Sequence, residues 1–373
     1  MQKIFIILTS GINRKGGFDF MKILRTRMEN FMIFEDLNID WSSNINVIFG
    51  ENSTGKTTIL KCLYALLKPY SRKNTESLTK DQLEASFVDK LTGVFRPEEM
   101  KVGRLVSRRQ GNGRASISME LEKGDSVSVA FGTRNGRHLD LEMKKASQQQ
   151  AFDAVYLPPK EMISATEHFQ SLYDEYHLDF EETYYDLTKL LDKPLKRGAN
   201  TNEQNRVLSS FEDILEGKIV QRDKKFYLKI HGEGEFEMGL VSEGYRKLGT
   251  IIYLISSGSL TKNSVLFWDE PETNMNPKMI QPIVSAIVEL AKMGVQVFVT
   301  THDYFVQQCF NMIAVYPESN PEHLKINFLS LYKENGKVAS ECANGLQDLK
   351  HNAIMEEFDA LYDREQRLFY GDQ

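Results

Sequence analysis

Residues Ile45 to Leu60 read INVIFGENSTGKTTIL, and everything else in the chain is organised around them. Four of the five residues from Ile45 to Phe49 are large and apolar, the mark of a buried strand. Gly50, four variable positions, then Gly55, Lys56 and Thr57 follow, and a helix-forming run begins. This is a strand, a G-x-x-x-x-G-K-T loop and a helix in succession. The glycines let the loop turn tightly, so that consecutive backbone N–H groups point inward at phosphate oxygens. The binding set expected for a nucleoside triphosphate is Gly50, Glu51, Asn52, Ser53, Thr54, Gly55, Lys56, Thr57 and Thr58. Lys56 belongs to the catalytic residues as well, since it reaches the β- and γ-phosphates, and Thr57 is a metal ligand that places its hydroxyl on Mg²⁺. The plain alternative, a Gly-rich turn without a ligand, accounts poorly for a strand on one side and a helix on the other.

The chain has 373 residues, 41% hydrophobic and 26% charged, enough for one large domain or two medium ones. A net charge of −6 argues against non-specific coating of nucleic acid and leaves room for a local basic site. Cys62, Cys309 and Cys342 are too widely spaced for a disulfide framework or a metal cluster. A cytoplasmic location without a membrane span is expected. Residues 1–20 read either as an artefact of the assigned start, and so not native, or as a floppy leader. Met21 opens a strand-like stretch, and Lys15-Gly16-Gly17 is what a purine-rich ribosome-binding site encodes when translated in frame.

Along the chain, strands are expected near Ile23–Met28 and Ile33–Trp41, with Leu37, Ile39 and Trp41 alternating with polar residues. A helix should run from Thr57 to Leu67 and stop at Pro69, and a weak helix should end at Val94. Lys101–Arg114 is rich in arginine and lacks acids. It reads either as a solvated loop paired with acids elsewhere or as a DNA contact. Strands at 115–121, 126–131 and 154–157 come next. Ser164–Glu216 reads as short helices broken at Lys193-Pro194 and Gly198–Asn202, with tyrosines among acids including Glu181 and Glu182. That segment packs on the head or docks a basic partner. A hairpin (218–230) and a helix from about Glu243 to Ser256 complete it. A C-terminal helix carrying Ile354, Phe358, Leu361 and Leu368 is expected in the core.

Two further segments carry chemistry. Val265–Trp268 is an apolar strand that delivers Asp269 and Glu270 at its C-terminal end, where ligands sit in parallel α/β sheets. Asp269 is the expected second metal ligand, and Glu270 the catalytic base that activates water against the γ-phosphate. Val295–Thr300 is another buried strand, and His302 just after it is expected to sense the γ-phosphate as a third catalytic residue. Ser242 and Gly244 open the helix at 243. They are either a plain N-cap or an anion site for a nucleotide held by another subunit.

Taken together, GENSTGKT, VSEG, LFWDEPETNMNP and VTTHD resemble, in order and spacing, the heads of ABC-type ATPases. The likeness is to the soluble OLD-like and AAA-type branch, related to SMC and RecF and found in bacterial antiviral defence systems. The resemblance implies an α/β P-loop fold with an N-terminal antiparallel sheet, a parallel core sheet and a helical insertion. It implies ATP and Mg²⁺ as cofactors, and an ATP-sandwiched homodimer or higher oligomer in which Ser242 and Gly244 bind the partner's nucleotide. The expected layout is a leader (1–20), the first part of the head (21–163), the insertion (164–216), the second part of the head (217–331) and a helical extension (332–373). The departures are Glu243-Gly244 where a glycine pair is usual, Glu161 near the place of a metal-contacting glutamine, and Asn276 in place of an aspartate. The functional expectation is an ATPase switch that controls a separate effector in antiphage defence. The rival is a RecF-like DNA repair and recombination ATPase, with DNA as its partner.

Overall fold

The computed structural model describes residues 21–71, 78–108, 113–145, 152–176 and 178–370. The expected leader at 1–20 and Arg109, Gly111 and Asn112 of the arginine-rich run lie outside them. Among the described residues the parallel sheet is the centre. Its strand β3 (Ile45–Gly50) is flanked by β12 (Gln296–Thr300) and β13 (Ile326–Glu334), and the order continues through β11 (Ser264–Asp269) to β7 (Asp153–Leu157). All these pairings are parallel, and β14 (Lys337–Ala343) closes the other edge antiparallel to β13.

Strands buried on both faces need apolar residues at every position, and the sequence supplies them. Val47, Leu266, Trp268, Val297 and Val299 point into one core. Ile48, Val265, Phe267 and Phe298 point into the other. Over the second face lies a five-stranded antiparallel sheet with β1 (Ile23–Phe31) and β2 (Phe34–Asp40) beside β4 (Arg114–Leu121), β5 (Ser126–Gly132) and β6 (Asp140–Lys144). Helix α1 (Lys56–Tyr70) lies on the parallel sheet and α2 (Lys80–Phe95) packs against α1, both burying apolar side chains in the core on that face, and Thr79 and Gln82 form a capping box at the start of α2. Pro69 lies within the last turn of α1, contrary to the expected stop. Tyr70 and the cap residue Ser71 follow it, so the helix forgoes the one bond that residue 69 would donate and ends within the same turn.

The first face is covered by α3 (Phe169–Tyr176), α4 (Glu182–Leu191), α5 (Asn202–Leu215), α6 (Glu243–Ser256), α7 (Ile280–Lys292) and α8 (Tyr304–Val315). A small three-stranded sheet of β8 (Gly217–Arg222), β9 (Lys225–Ile230) and β10 (Gly234–Glu237) leads into α6. Both β6 and β10 are short and lie outside the expected strands, although Leu141 and Met143 of β6 do alternate with charged residues.

Two expectations about the C-terminus are corrected. The segment after 331 is not wholly helical: Asn335 and Gly336, both at positive φ, turn the chain back into β14. Helix α9 (Ala353–Tyr370) is not core, for none of its residues is buried. Its first turns rest on α8, where Phe358 stacks on Tyr304 at 4.4 Å, and Leu361 and Leu368 remain exposed. No helix among the described residues is long and apolar enough to cross a membrane.

Candidate nucleotide site

The loop between β3 and α1 is built from strained and close-packed positions. Gly50 has φ +143°, and a Cβ there would strike the carbonyl oxygen of Leu331 at 1.9 Å, so the loop leaves β3 pressed against β13. Gly55 has φ +93°, and its Cβ would meet the ring of Phe34 and the end of Ile33. The turn between β1 and β2 therefore forms the wall above the loop. Thr54 is buried and donates to the carbonyl of Glu51 (2.8 Å), so its side chain staples the loop and does not face the cleft. Lys56 Nζ donates to the carbonyls of Gly50 (2.9 Å) and Glu51 (2.7 Å). Burial pulls the Lys56 ammonium down to about 8, against the opposing pull of Glu270, Asp269, Glu272 and Glu51.

Ile33, Asn52, Ser53, Gly55, Lys56, Thr57, Thr58 and His302 line one open cleft of about 250 Å³. A larger cavity of about 600 Å³ opens on the far side of Ile33, lined by Arg96, Arg104 and Arg108, but no phosphate-loop residue borders it. We place the chemistry in the smaller one, because the acids converge there.

Because β11 and β12 are adjacent, their C-terminal ends bring Asp269, Glu270 and His302 to the first turn of α1. Asp269 Oδ1 accepts from Thr57 Oγ1 (3.0 Å) and Thr300 Oγ1 (2.5 Å), and Oδ2 accepts from the buried hydroxyl of Tyr156 (3.0 Å). Burial raises the Asp269 carboxyl above its ordinary value, and the three hydroxyls oppose that. Glu270 Oε1 lies 3.0 Å from His302 Nε2. Thr57 and Asp269 are hard oxygen donors of the kind Mg²⁺ takes. Its remaining positions would come from phosphates and water.

Several residues of this arrangement were not singled out in the sequence. Tyr156 and Thr300 orient Asp269. Glu272 Oε1 accepts from Thr301 Oγ1 (2.6 Å) and from the amide of His302 (2.9 Å), so it holds the turn on which His302 sits. A hydroxyl residue at the end of each strand beside β11 was the available signal.

Other expected residues lie elsewhere. Ser242 and Gly244 do not line the cleft of their own chain. Gly244 lies against Met275 and Met279. The Ser242 side chain makes no capping bond, so the plain N-cap reading has no support in the geometry. The Glu161 carboxylate pairs with Arg246 (2.7 Å) and accepts from Ser164. Asn276 accepts from the amide of Lys278 and caps its own turn. The arginine-rich run is paired with acids, Lys101 with Glu99, Arg104 with Glu98 and Arg114 with Asp140. Glu181 and Glu182 are not a free docking face. Glu181 pairs with Lys61 of α1, and Glu182 with the buried Lys90 of α2.

Comparison with known proteins agrees with this geometry. A DNA replication and repair protein RecF from Exiguobacterium sp. is 27% identical over 143 residues, which make up 34% of this chain and 38% of that protein. RecF from Halalkalibacterium halodurans is 24% identical over 144 residues, again 38% of its length. The chain thus matches well under half the length of these curated relatives. A crystal structure of an SMC head bound to the C-winged helix domain of ScpA superposes with a TM-score of 0.52 at 11% identity, covering 87% of this chain and 98% of that one. That likeness establishes the fold: an SMC-head and RecF-like P-loop ATPase fold, mixed α/β, with antiparallel and parallel sheets. The family described as "AAA domain, putative AbiEii toxin, Type IV TA system" matches residues 45–306, more than half of the chain. The chain belongs to this AAA-domain family, is similar over part of its length to RecF, and shares the SMC-head fold.

Proposed function

We propose that this chain is an ATP-hydrolysing switch whose heads close in pairs around ATP and which controls a separate effector in antiphage defence. The observation that carries the reading is the convergence of Thr57, Asp269, Glu270 and His302 on one phosphate loop. In this reading Lys56 leaves the carbonyls of Gly50 and Glu51 for the β- and γ-phosphates. Bound Mg²⁺ neutralises the phosphate charge. Thr57 and Asp269 hold that ion, Glu270 takes the proton of the attacking water, and His302 senses the γ-phosphate. Ser242 and Gly244 lie outside their own cleft, which supports a role on the partner's nucleotide. The segment 164–216 is the proposed reporter. Lys61 and Tyr64 of the phosphate-loop helix hold Glu181 and Asp186 of that segment.

Phosphate release and ATP affinity, measured on the wild type and on Lys56→Ala, test the reading. We expect Mg²⁺-dependent hydrolysis that Lys56→Ala abolishes together with tight ATP binding. Equal activity in the two proteins would overturn it.

The second reading, a RecF-like repair ATPase, is favoured by the repeated match to RecF proteins. DNA binding that strengthens with ATP and falls steeply with salt, in the absence of any effector, decides for it.

A further inference from the structure

Glu270 has φ +47°, an uncommon conformation for a residue with a Cβ. Such strain persists only where the surroundings over-determine it. One set of restraints comes from the sheet and the turn itself. The Glu270 amide donates to the carbonyl (3.2 Å) and hydroxyl (3.1 Å) of Thr300, and the Thr273 amide donates back to the Glu270 carbonyl (3.1 Å). Thr273 Oγ1 also donates to Glu270 Oε2 (3.2 Å).

The other restraint comes from α6. Lys247 Nζ donates to the carbonyl oxygens of Glu270 (3.4 Å), Pro271 (3.1 Å) and Thr273 (2.9 Å). An ammonium has three N–H donors, and here all three are spent on the main chain of a single turn. The side chain is 4% exposed; without it the Pro271 and Thr273 carbonyls would lose this donor, while the Glu270 carbonyl would keep only the Thr273 amide. Lys247 stands five residues beyond Ser242 on the helix whose first turn carries Gly244. The same helix therefore presents the Ser242 end outward and grips the Glu270 turn inward.

We propose that Lys247 is a positioning residue that fixes the backbone of Glu270 and couples it to the Ser242 end of α6. A displacement of α6, caused by a phosphate docking at its first turn, would then move the base of the site in the same chain. This rests on the reading of Glu270 as the base of an ATPase.

The test uses Lys247→Met, which keeps the length and burial of the stem and removes the donors. Its ATP affinity should stay within about twofold of wild type, and its kcat should fall at least about tenfold, the scale on which small misplacement of a catalytic group acts. On a Glu270→Gln background the same substitution should change kcat by less than about twofold, because Lys247 acts only through Glu270. Hydrogen exchange at the amides of Glu270 and Thr273 should accelerate. Wild-type kcat in Lys247→Met, or a further tenfold loss on the Glu270→Gln background, overturns the proposal. If the wild type does not hydrolyse ATP, the ATPase reading fails by itself, and exchange at the turn decides whether Lys247 holds it: unchanged exchange sinks the positioning role. If Lys247→Met does not fold, Lys247→Arg is measured instead. No guanidinium nitrogen carries three N–H donors, so the three bonds cannot fan out from one atom; kcat should fall several-fold at unchanged ATP affinity, and wild-type kcat there again overturns the proposal.

Discussion

His302 Nε2 lies 3.0 Å from Glu270 Oε1, so the proposed γ-phosphate sensor and the proposed base are joined directly. The hydrogen bond from His302 holds the Glu270 carboxyl below its ordinary value, while burial pushes the other way. Glu270 is therefore ionised across the neutral range. Its replacement by Gln should leave ATP and Mg²⁺ binding intact and slow turnover by about a hundredfold or more, within the span of general-base loss. The same variant should accumulate the closed pair of heads on gel filtration with ATP. Wild-type turnover in Glu270→Gln would remove the glutamate from the mechanism.

Replacing His302 by Ala takes away the largest influence lowering the Glu270 carboxyl and leaves burial, which raises it. The sign follows: a carboxyl that titrates higher loses its base form at higher pH. The acid limb of kcat/KM in His302→Ala should move upward relative to wild type, beyond any fall in its plateau. An unmoved limb would mean that Glu270 is not the group reporting there.

Lys56 carries a second pH signature. Its ammonium is pulled down to about 8 by burial, and the arriving phosphates favour the charged form. Above that pH the free protein has partly lost the proton that the complex requires. ATP binding at pH 8.5 should therefore take up protons, and at pH 7 should take up few. Calorimetry in buffers of different ionisation enthalpy reads this directly. The pH 8.5 uptake should vanish in Lys56→Met, provided residual binding can be measured.

What could be read in the sequence was what repeats with a period or sits in a tight motif. The strand before Gly50, the loop to Thr57 and the acids after Trp268 are local patterns, and the structure brings them together because β3, β12 and β11 are neighbours. The hydroxyls of Tyr156 and Thr300 near their strand ends are visible in the sequence, but their roles and that of Glu272 are not, since each acts through a contact between strands or turns far apart in the chain. The apolar stripe of α9 was misread for the opposite reason. Its spacing is local and clear, but burial depends on a neighbour, and no residue of the helix is buried, Phe358 on Tyr304 included. The Asn335-Gly336 turn was a readable hairpin signal that went unused.

The acids of the 164–216 segment lead to a stability prediction in place of a docking one. Lys90 is 4% exposed and pairs with Glu182 (2.5 Å) and Asp186 (2.8 Å), joining α2 to α4. Lys90→Met leaves two partly buried carboxylates without their cation, which should cost about 3 kcal/mol in urea unfolding at pH 7, the low end for breaking a buried pair. Burial raises the Glu182 carboxyl even with Lys90 present, and the loss of Lys90 should raise it further. A carboxyl whose pKa is raised in the folded state binds protons more readily there than in the unfolded chain, so stability is regained as pH falls. The deficit of Lys90→Met should be smaller at pH 5 than at pH 8. A deficit that does not depend on pH would mean that packing, and not charge, holds the two helices.

The arrangement of Ser242 and Gly244 away from their own cleft gives the last prediction. If each site is composed of a phosphate loop from one chain and the α6 end of another, a Lys56→Ala chain still offers an intact α6, and a Ser242→Arg chain still offers an intact phosphate loop. Each parent homodimer would have two defective sites. A mixed pair would have one site with both defects and one with neither. Mixing the two inactive proteins at equal concentration should therefore restore activity. With random pairing half of the dimers are mixed and each carries one of two sites, so about a quarter of wild-type turnover is expected if single sites act independently. Cooperative sites would lower that figure without abolishing it. Varying the mixing ratio should trace a maximum near equal amounts, because only the mixed species contributes. A mixture as inactive as its parents at every ratio, with exchange of chains demonstrated separately, would confine Ser242 to its own chain.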